Sequence, residues 1–394
     1  MIMAHRLLHV VQISFFSDPE ERSPAELLDA WSTLVDVSEA VFRAKIRVSV
    51  VQACTHSEHL ERNGVDYYFL PFGAMLPASR AQNTLSELLR ELAPDVLHVH
   101  GLNFPRDVLS LKTLAPGVPI ILQDHASQPP RPWRRAAWRR SIAAAAGIAF
   151  CSLEQARPFA TAGLLHQDTH VYQIPESTSR FTPGDKEQAR RTLEVSGNPL
   201  VLWVGHLDEN KDPLTVLDGI SKSAQAFPDL QLWCCFGAAP LLRAVRNRIA
   251  ADPALGPRVH LLGRVPHERV EHLMRAADIF ALGSHREGSG YSLIEALACG
   301  LLPVVTDIPS FRSLTAAGTV GKLWPCGDSH AFCEALRFGV AQVGPGMRAT
   351  VRTHFERELS FEALGSKLAT MYADVVGRKR GGSARSAGTL AQNP

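Results

Sequence analysis

Two successive series of short apolar runs, each alternating with helical or turn-rich stretches, constrain this 394-residue chain more than any other feature. Residues 7–15, 48–53, 67–70, 96–99, 120–123 and 148–151 are the strand candidates of the first series. Between the first two, residues 24–44 carry apolar side chains at helical spacing, with Ser23 placed to cap the amino end and Pro24 at the first helical position. The second series reads strand 200–204, helix from Pro213, strand 230–236, helix from Pro240, strand 259–262, helix 267–277 and strand 279–282. Short apolar strands separated by helices are what a parallel sheet with crossover connections requires. The periodicity is lost once, over residues 174–185, where two prolines interrupt a polar stretch. A linker there divides the chain into domains at 1–178 and 185–355. Residues 360–376 are amphipathic and are expected to pack back on the first domain as a helix. Residues 378–394, rich in Gly, Ser and Arg, are expected to be disordered, with order ending near Val376. The fold class that follows is α/β, with two Rossmann-like domains.

Composition removes several function classes. Hydrophobic residues make up 45% and charged residues 20%, an ordinary globular balance. Lys and Arg total 41 against 39 Asp and Glu, for a formal charge of +2, so the chain lacks the basic excess that nucleic acid binding uses. The seven cysteines, at 54, 151, 234, 235, 299, 326 and 333, include no Cys-x-x-Cys pair, which argues for reduced thiols in the cytoplasm and against a zinc site. The apolar start is interrupted by His5, Arg6, His9 and Gln12, which makes it a first buried strand rather than a leader peptide. No run of about 18 apolar residues occurs, so a spanning helix is not expected.

The stretch richest in chemistry runs from Ser284 to Thr306. It sets Glu287 and Glu295 eight residues apart across a Gly-rich turn, Gly288-Ser289-Gly290, that leads from a strand into a helix starting near Tyr291. Glycines let the backbone turn tightly, and the helix start offers N–H groups and a positive dipole end to a diphosphate. Glu287, before the turn, can accept from sugar hydroxyls, and Glu295, farther into the helix, suits the paired hydroxyls of a ribose. Gly300 and Pro303 follow behind the motif.

Residues 287–304 resemble the signature of retaining glycosyltransferase family 4, of the GT-B fold: Glu, seven residues, Glu, then small residues, Gly and Pro-Val. The likeness extends to residues 204–213, similar to the family's phosphate turn, with Gly205 and Lys211 in place and His206 standing where Arg is usual. Residues 261–266 resemble the loop that holds the nucleotide base, which implies Arg264 and Val265 for the base pocket. His125, ending the strand 120–123, is similar to a family His that faces the donor sugar. His98 and His100 share a strand face and are read as core or cleft-lining residues rather than metal ligands.

The resemblance implies two parallel-sheet domains facing a central cleft, a nucleotide-sugar donor and an acceptor, and transfer with retention of configuration. It implies Glu287, His125 and Lys211 as catalytic residues, with Lys211 neutralising the leaving diphosphate so that no metal or other cofactor is expected. Where relatives have a Gly-Gly turn after the first strand, this chain has Ser14, Phe15 and Phe16, which would form the acceptor side. Residues 306–312 also depart from the family's Gly-rich turn. The cationic, Trp-containing segment 131–140 suits either a solvated helix or peripheral contact with an anionic membrane surface. A nicotinamide enzyme is disfavoured by the lack of Gly-x-Gly-x-x-Gly after a first strand. A nucleotide-sugar binder with impaired turnover, or an epimerase or phosphorylase of the same architecture, are the remaining alternatives. Donor base, sugar, acceptor and oligomeric state are left open by the sequence.

Overall fold

The computed structural model describes residues 7–75 and 84–389. The chain divides into two compact units, Met1–Ser177 with Phe361–Pro394, and Thr178–Ser360. The division falls inside the stretch where the apolar periodicity lapses.

The first unit is built on eight strands: β1 (His9–Ser14), β2 (Arg47–Cys54), β3 (Glu58–Arg62), β4 (Val65–Pro71), β5 (Val96–His100), β6 (Ile120–Gln123), β7 (Gly147–Phe150) and β8 (Val171–Gln173). Their spatial order is β3-β4-β2-β1-β5-β6-β7-β8. All neighbours are parallel except β3, which pairs antiparallel with β4. Strands β3 and β8 were not among the sequence candidates. The reason is physical: β3 is polar and largely exposed at a sheet edge, so no alternation of buried side chains marks it, and β8 has only three residues.

Helix α1 (Pro24–Ala30) starts as expected, its first turn closed by a reciprocal capping box between Ser23 and Glu26. The single helix expected over 24–44 is two, because Trp31 leaves the helical region (φ −104°, ψ 70°) before α2 (Ser32–Arg43) begins. Apolar side chains cover both faces of the sheet. Val11 and Ile13 of β1 enter one core cluster, and Val10 enters the other with Val48 and Val50 of β2.

The chain's last described helix lies over that second cluster. It packs on α2, burying Leu364, Leu368, Met371 and Tyr372, each worth about 1.5–3 kcal/mol on burial. Gly365 makes the close approach possible: a Cβ there would lie 2.3 Å from the Ala40 carbonyl oxygen. This helix continues to Thr389, past the end of order expected near Val376, since each further turn adds backbone hydrogen bonds once a helix is nucleated. Of the tail expected to be disordered, residues 390–394 lie outside the described residues.

The second unit is a six-stranded parallel sheet: β9 (Leu200–Val204), β10 (Gln231–Cys235), β11 (Val259–Gly263), β12 (Ile279–Leu282), β13 (Leu302–Thr306) and β14 (Lys322–Trp324), in the order β11-β10-β9-β12-β13-β14. In each sheet the winding reverses once, between β1 and β5 in the first unit and between β9 and β12 in the second. Loops leaving the carboxyl ends of strands at such a point diverge to opposite faces and leave a crevice, the usual place for a ligand in an open α/β sheet.

Candidate functional site

In the second unit the crevice is walled by the loops after β9 and β12. The first, residues 205–212, leads into α3 (Pro213–Ser223); the second leads into α5 (Tyr291–Ala298), with α4 (His267–Ala276) between them in the chain. The two loops are tied together. His285 N–H donates to the Asn210 carbonyl (2.8 Å), Asn210 Nδ2 donates to the Arg286 carbonyl (2.9 Å), and the His285 ring meets Asp212 at 3.1 Å. Gly283 is required by this approach, since a Cβ would lie 2.9 Å from the Asp212 carbonyl oxygen.

Within the first loop, Asp208 accepts from the Lys211 N–H (2.8 Å). Asp212, in the left-handed region at φ 47°, accepts from Thr215 N–H (3.2 Å) and caps α3. Those bonds set the direction of Lys211, whose ammonium forms a direct ion pair with the Glu287 carboxylate; the two side chains are 15% and 12% exposed.

A cavity of about 310 Å³ opens beside this pair. Of the residues expected to hold a donor, Gly205, His206, Lys211, Arg264, Val265, Glu287, Tyr291 and Glu295 all line it. Gly288, Ser289 and Gly290 do not line it; they shape the turn from behind. Ser289 is buried, and Gly290 stands at φ +84° with the Phe311 ring 2.6 Å from where a Cβ would be, so only glycine fits there. Glu295 is the fifth residue of α5, about one turn from its start. The amino end of α5 faces the cavity through Tyr291 and Ser292, adding the positive end of a helix dipole to Lys211 and Arg264.

His206 Nδ1 accepts from the Ala238 N–H (3.1 Å), so the neutral ring carries its proton on Nε2. One N–H donor thus stands where the resemblance leads one to expect an arginine fork. Sequence reasoning missed His267, the first residue of α4. Its Nε2 meets Glu295 Oε1 at 2.5 Å and its ring packs on Phe181 at 4.6 Å. An exposed histidine at a helix start has no sequence signature; its partner is supplied by another helix. Cys235, Phe236 and Gly237, at the end of β10, also line the cavity and read in the sequence only as the end of a strand.

In the first unit the corresponding crevice is lined by β1, β5 and the segment after β6. Ser14 pairs in register with His100. The acceptor-side expectation needs correction at Phe15: the strand's alternation carries its side chain into the core, where it is 2% exposed and 5.6 Å from the Phe104 ring. Ser14 is buried too. Phe16 lies edge-on to Phe104 (4.8 Å) and has its ring 6.4 Å from His125.

His98 is a core residue, its Nδ1 bonded to the Tyr372 hydroxyl (2.7 Å), and burial pushes its pKa down to about 3. His100 stacks on it at 4.6 Å and, buried beside two other imidazoles, is held well below the usual histidine range. His125 has both ring nitrogens engaged, Nδ1 with Glu176 Oε2 (3.0 Å) and Nε2 with His100 Nδ1 (3.1 Å). Burial works against charge on His125, but the Glu176 carboxylate and Asp124 outweigh it and raise its pKa. Asp124, sealed beneath the loop, is pushed up to about 6 by desolvation, against the pull of its bond from the Ser127 N–H (2.9 Å). Among the described residues no group of three or more His, Cys, Asp or Glu is arranged to hold a metal ion.

The segment 131–140 separates its two tryptophans. Trp138 is buried against Phe159, whereas Trp133 is 71% exposed with the Arg131 guanidinium 5.4 Å from its ring. No helix among the described residues is long and apolar enough to cross a membrane.

Both units match known families. The model described as Glycosyl transferases group 1 covers residues 185–341, and Glycosyltransferase Family 4 covers residues 30–173, together about three quarters of the chain. The chain is 34% identical over 146 residues to phosphatidyl-myo-inositol mannosyltransferase of Mycobacterium tuberculosis, 36% of this chain and 37% of that protein. It is 25% identical over 237 residues to the GDP-mannose:cellobiosyl-diphosphopolyprenol alpha-mannosyltransferase of Xanthomonas campestris, 58% and 60% of the two chains. The aligned stretch therefore spans less than two thirds of either relative. Among solved structures, sucrose-phosphate synthase from Thermosynechococcus elongatus superposes with a TM-score of 0.70 at 17% identity, over 94% of this chain and all of that one. Anabaena HepE, solved with UDP, gives 0.67 at 16%, over 93% of this chain and all of that one. At such identities these two likenesses speak to the fold, which is GT-B. With each unit matched by a model of this family and the signature residues gathered on one cavity, the chain belongs to the group 1 glycosyltransferases of family 4.

Proposed function

We propose that the protein transfers a sugar from a nucleotide-sugar donor to an acceptor hydroxyl with retention of anomeric configuration. The observation that carries this reading is the cavity at the β9/β12 reversal, where Lys211, Glu287, Glu295 and the amino end of α5 converge. In this reading the base lies against Arg264 and Val265, and the ribose hydroxyls bond to Glu295, which His267 orients. The diphosphate takes the start of α5 and Lys211, and the sugar hydroxyls meet Glu287. As the bond from the anomeric carbon to the diphosphate oxygen breaks, the acceptor oxygen bonds to that carbon on the same face, and the acceptor's proton passes to the departing diphosphate. Lys211 and the helix end stabilise the growing negative charge, which is the task a metal ion performs in other transferases, so transfer without added metal is the expectation.

Calorimetry with UDP, GDP, ADP and their common sugar conjugates, in the presence of a chelator, tests this. One nucleotide should bind in the micromolar range, and Glu295→Ala should weaken it about 10- to 100-fold, the loss of hydrogen bonds to a charged group. Absence of binding to every nucleotide would sink the assignment.

We further infer peripheral contact with an anionic surface through Arg131, Trp133, Arg134, Arg139 and Arg140, all exposed on one segment. Cations near an anionic leaflet gain about 1 kcal/mol each, and an exposed indole suits the interface. Vesicles containing phosphatidylglycerol should pull the protein down and Trp133→Ala should weaken this, while neutral vesicles should not; equal sedimentation with both refutes the inference.

A further inference from the structure

We propose that the guanidinium of Arg264, together with Nε2–H of His206, clamps the diphosphate of the donor, so that the loop after β11 holds phosphate through this side chain while its backbone meets the base. The proposal rests on the nucleotide-sugar reading above and deepens it.

The geometry comes from three neighbouring strands, β9, β10 and β11, whose carboxyl ends are stitched edge to edge. Gly205 N–H donates to the Cys235 carbonyl (3.1 Å) and Leu207 N–H to the Ala238 carbonyl (2.9 Å), which ties the loop after β9 to the loop after β10. Phe236 N–H donates to the Gly263 carbonyl (2.9 Å), which ties the end of β10 to the end of β11. Gly237 stands between them, within reach of His206 from one loop and of Arg264 from the other. A Cβ on Gly237 would lie 3.4 Å from His206 Cε1 and 3.8 Å from Arg264 Nη2, so the two side chains approach one point. All three residues line the cavity that Lys211, Glu287 and the amino end of α5 also line.

Charge decides what that point can receive. The side chains of fixed charge on the cavity are Lys211, Arg264, Glu287 and Glu295, in which positive and negative balance. Lys211 is held in its ion pair with Glu287. Arg264 is exposed and makes no hydrogen bond or ion pair to any described residue, so among the described residues it is the cation on the cavity wall without a carboxylate partner. A base is neutral and leaves a guanidinium's charge unmatched. A diphosphate matches both the charge and the fork, setting two oxygens against two N–H donors. His206 adds one neutral donor to the same point: its Nδ1 accepts from the Ala238 N–H (3.1 Å), which leaves the ring proton on Nε2. Lys211 is oriented in advance by Glu287, whereas Arg264, with no partner inside the protein, takes its place when the ligand arrives.

The test compares Arg264→Gln with the wild type in binding UDP, GDP and ADP, and in competition by uridine, guanosine and adenosine against the matching diphosphate. For the nucleotide that binds, Arg264→Gln should weaken the diphosphate about 10- to 100-fold, the loss of hydrogen bonds between charged groups, and leave the nucleoside within about twofold of the wild type. Equal losses for both would put the guanidinium on the base and overturn the proposal, as would an unchanged diphosphate affinity. Where the nucleoside does not compete, inorganic pyrophosphate is the base-free competitor: its affinity should fall in the variant, and an unchanged affinity overturns the proposal. His206→Ala should cost about 5- to 10-fold on the diphosphate and spare the nucleoside, as removal of one donor does; a loss shared by both ligands counts against the clamp. Thermal unfolding without ligand should be the same for Arg264→Gln and the wild type. If Arg264→Gln fails to fold, Arg264→Lys, which keeps the charge and removes the fork, decides by the same comparison. A wild type that binds no nucleoside diphosphate defeats the donor reading itself, whereas binding that Arg264→Gln leaves intact, or weakens for both ligands alike, defeats the assignment of Arg264 alone.

Discussion

Replacing Lys211 with methionine is expected to lower nucleotide-sugar turnover by about 10²- to 10³-fold, the usual cost of removing one preorganised charge-stabilising donor. The ammonium is fixed by its ion pair with Glu287 and by the turn that Asp208 and Asp212 hold, so it is oriented before any ligand arrives. Methionine keeps most of the apolar body of the side chain and removes the ammonium with its charge and donors. The Glu287 carboxylate, 12% exposed, is then left without its ammonium, and stability should fall by about 3 kcal/mol, as when one partner of a buried pair is deleted. Adding Glu287→Gln should restore most of the stability and none of the turnover. Denaturant titration and initial rates on the same three proteins separate the two effects; full turnover in Lys211→Met would mean that the lysine is structural.

The second large effect concerns acid. His98 has a pKa of about 3 in the fold against an ordinary value near 6.5, so its contribution to stability is present above pH 6.5 and is lost as pH falls toward 3, by about 4–5 kcal/mol in full. Asp124 has the opposite sign. Its pKa of about 6 lies above its unfolded value of 3.8, so its contribution is complete below pH 3.8 and is lost as pH rises through 6, about 3 kcal/mol in all. Between pH 6 and pH 4 the two nearly cancel, and the wild type should lose little stability in that window. Asp124→Asn should unmask a steep decline there, and His98→Gln should reverse the slope. Urea midpoints at pH 7, 5 and 4 for the three proteins check both signs; parallel curves would mean that neither group is coupled to folding.

The alternation of strands and helices and the place of the linker were legible in the sequence because each rests on local chemistry, whereas Lys211, Arg264 and Val265 on the cavity were reached through the family resemblance. Strands β6, β9 and β12 have the bounds that their apolar runs predict, since a strand buried on both faces must be continuously apolar. Gly290 was legible for a related reason: a turn this tight between a strand and a helix, with a positive φ and the Phe311 ring against it, tolerates only glycine. Strand β3 was not, because an exposed edge strand has no buried face to pattern it. Trp31, which ends α1, carries no breaker signal of the Gly or Pro kind.

Chain-local rules thus determined two α/β units built on mainly parallel sheets and the Gly-rich turn that leads into α5. Which atom meets which was decided only by tertiary packing. His267 finds Glu295 because α4 and α5 lie side by side in the fold, and Phe15 goes to the core because β1 is covered on that face. His125 loses its free nitrogen because Glu176, fifty-one residues later, closes one side of its ring and His100 the other. Hydrogen bonds between residues far apart in sequence depend on the register of neighbouring strands, and no local propensity encodes that register.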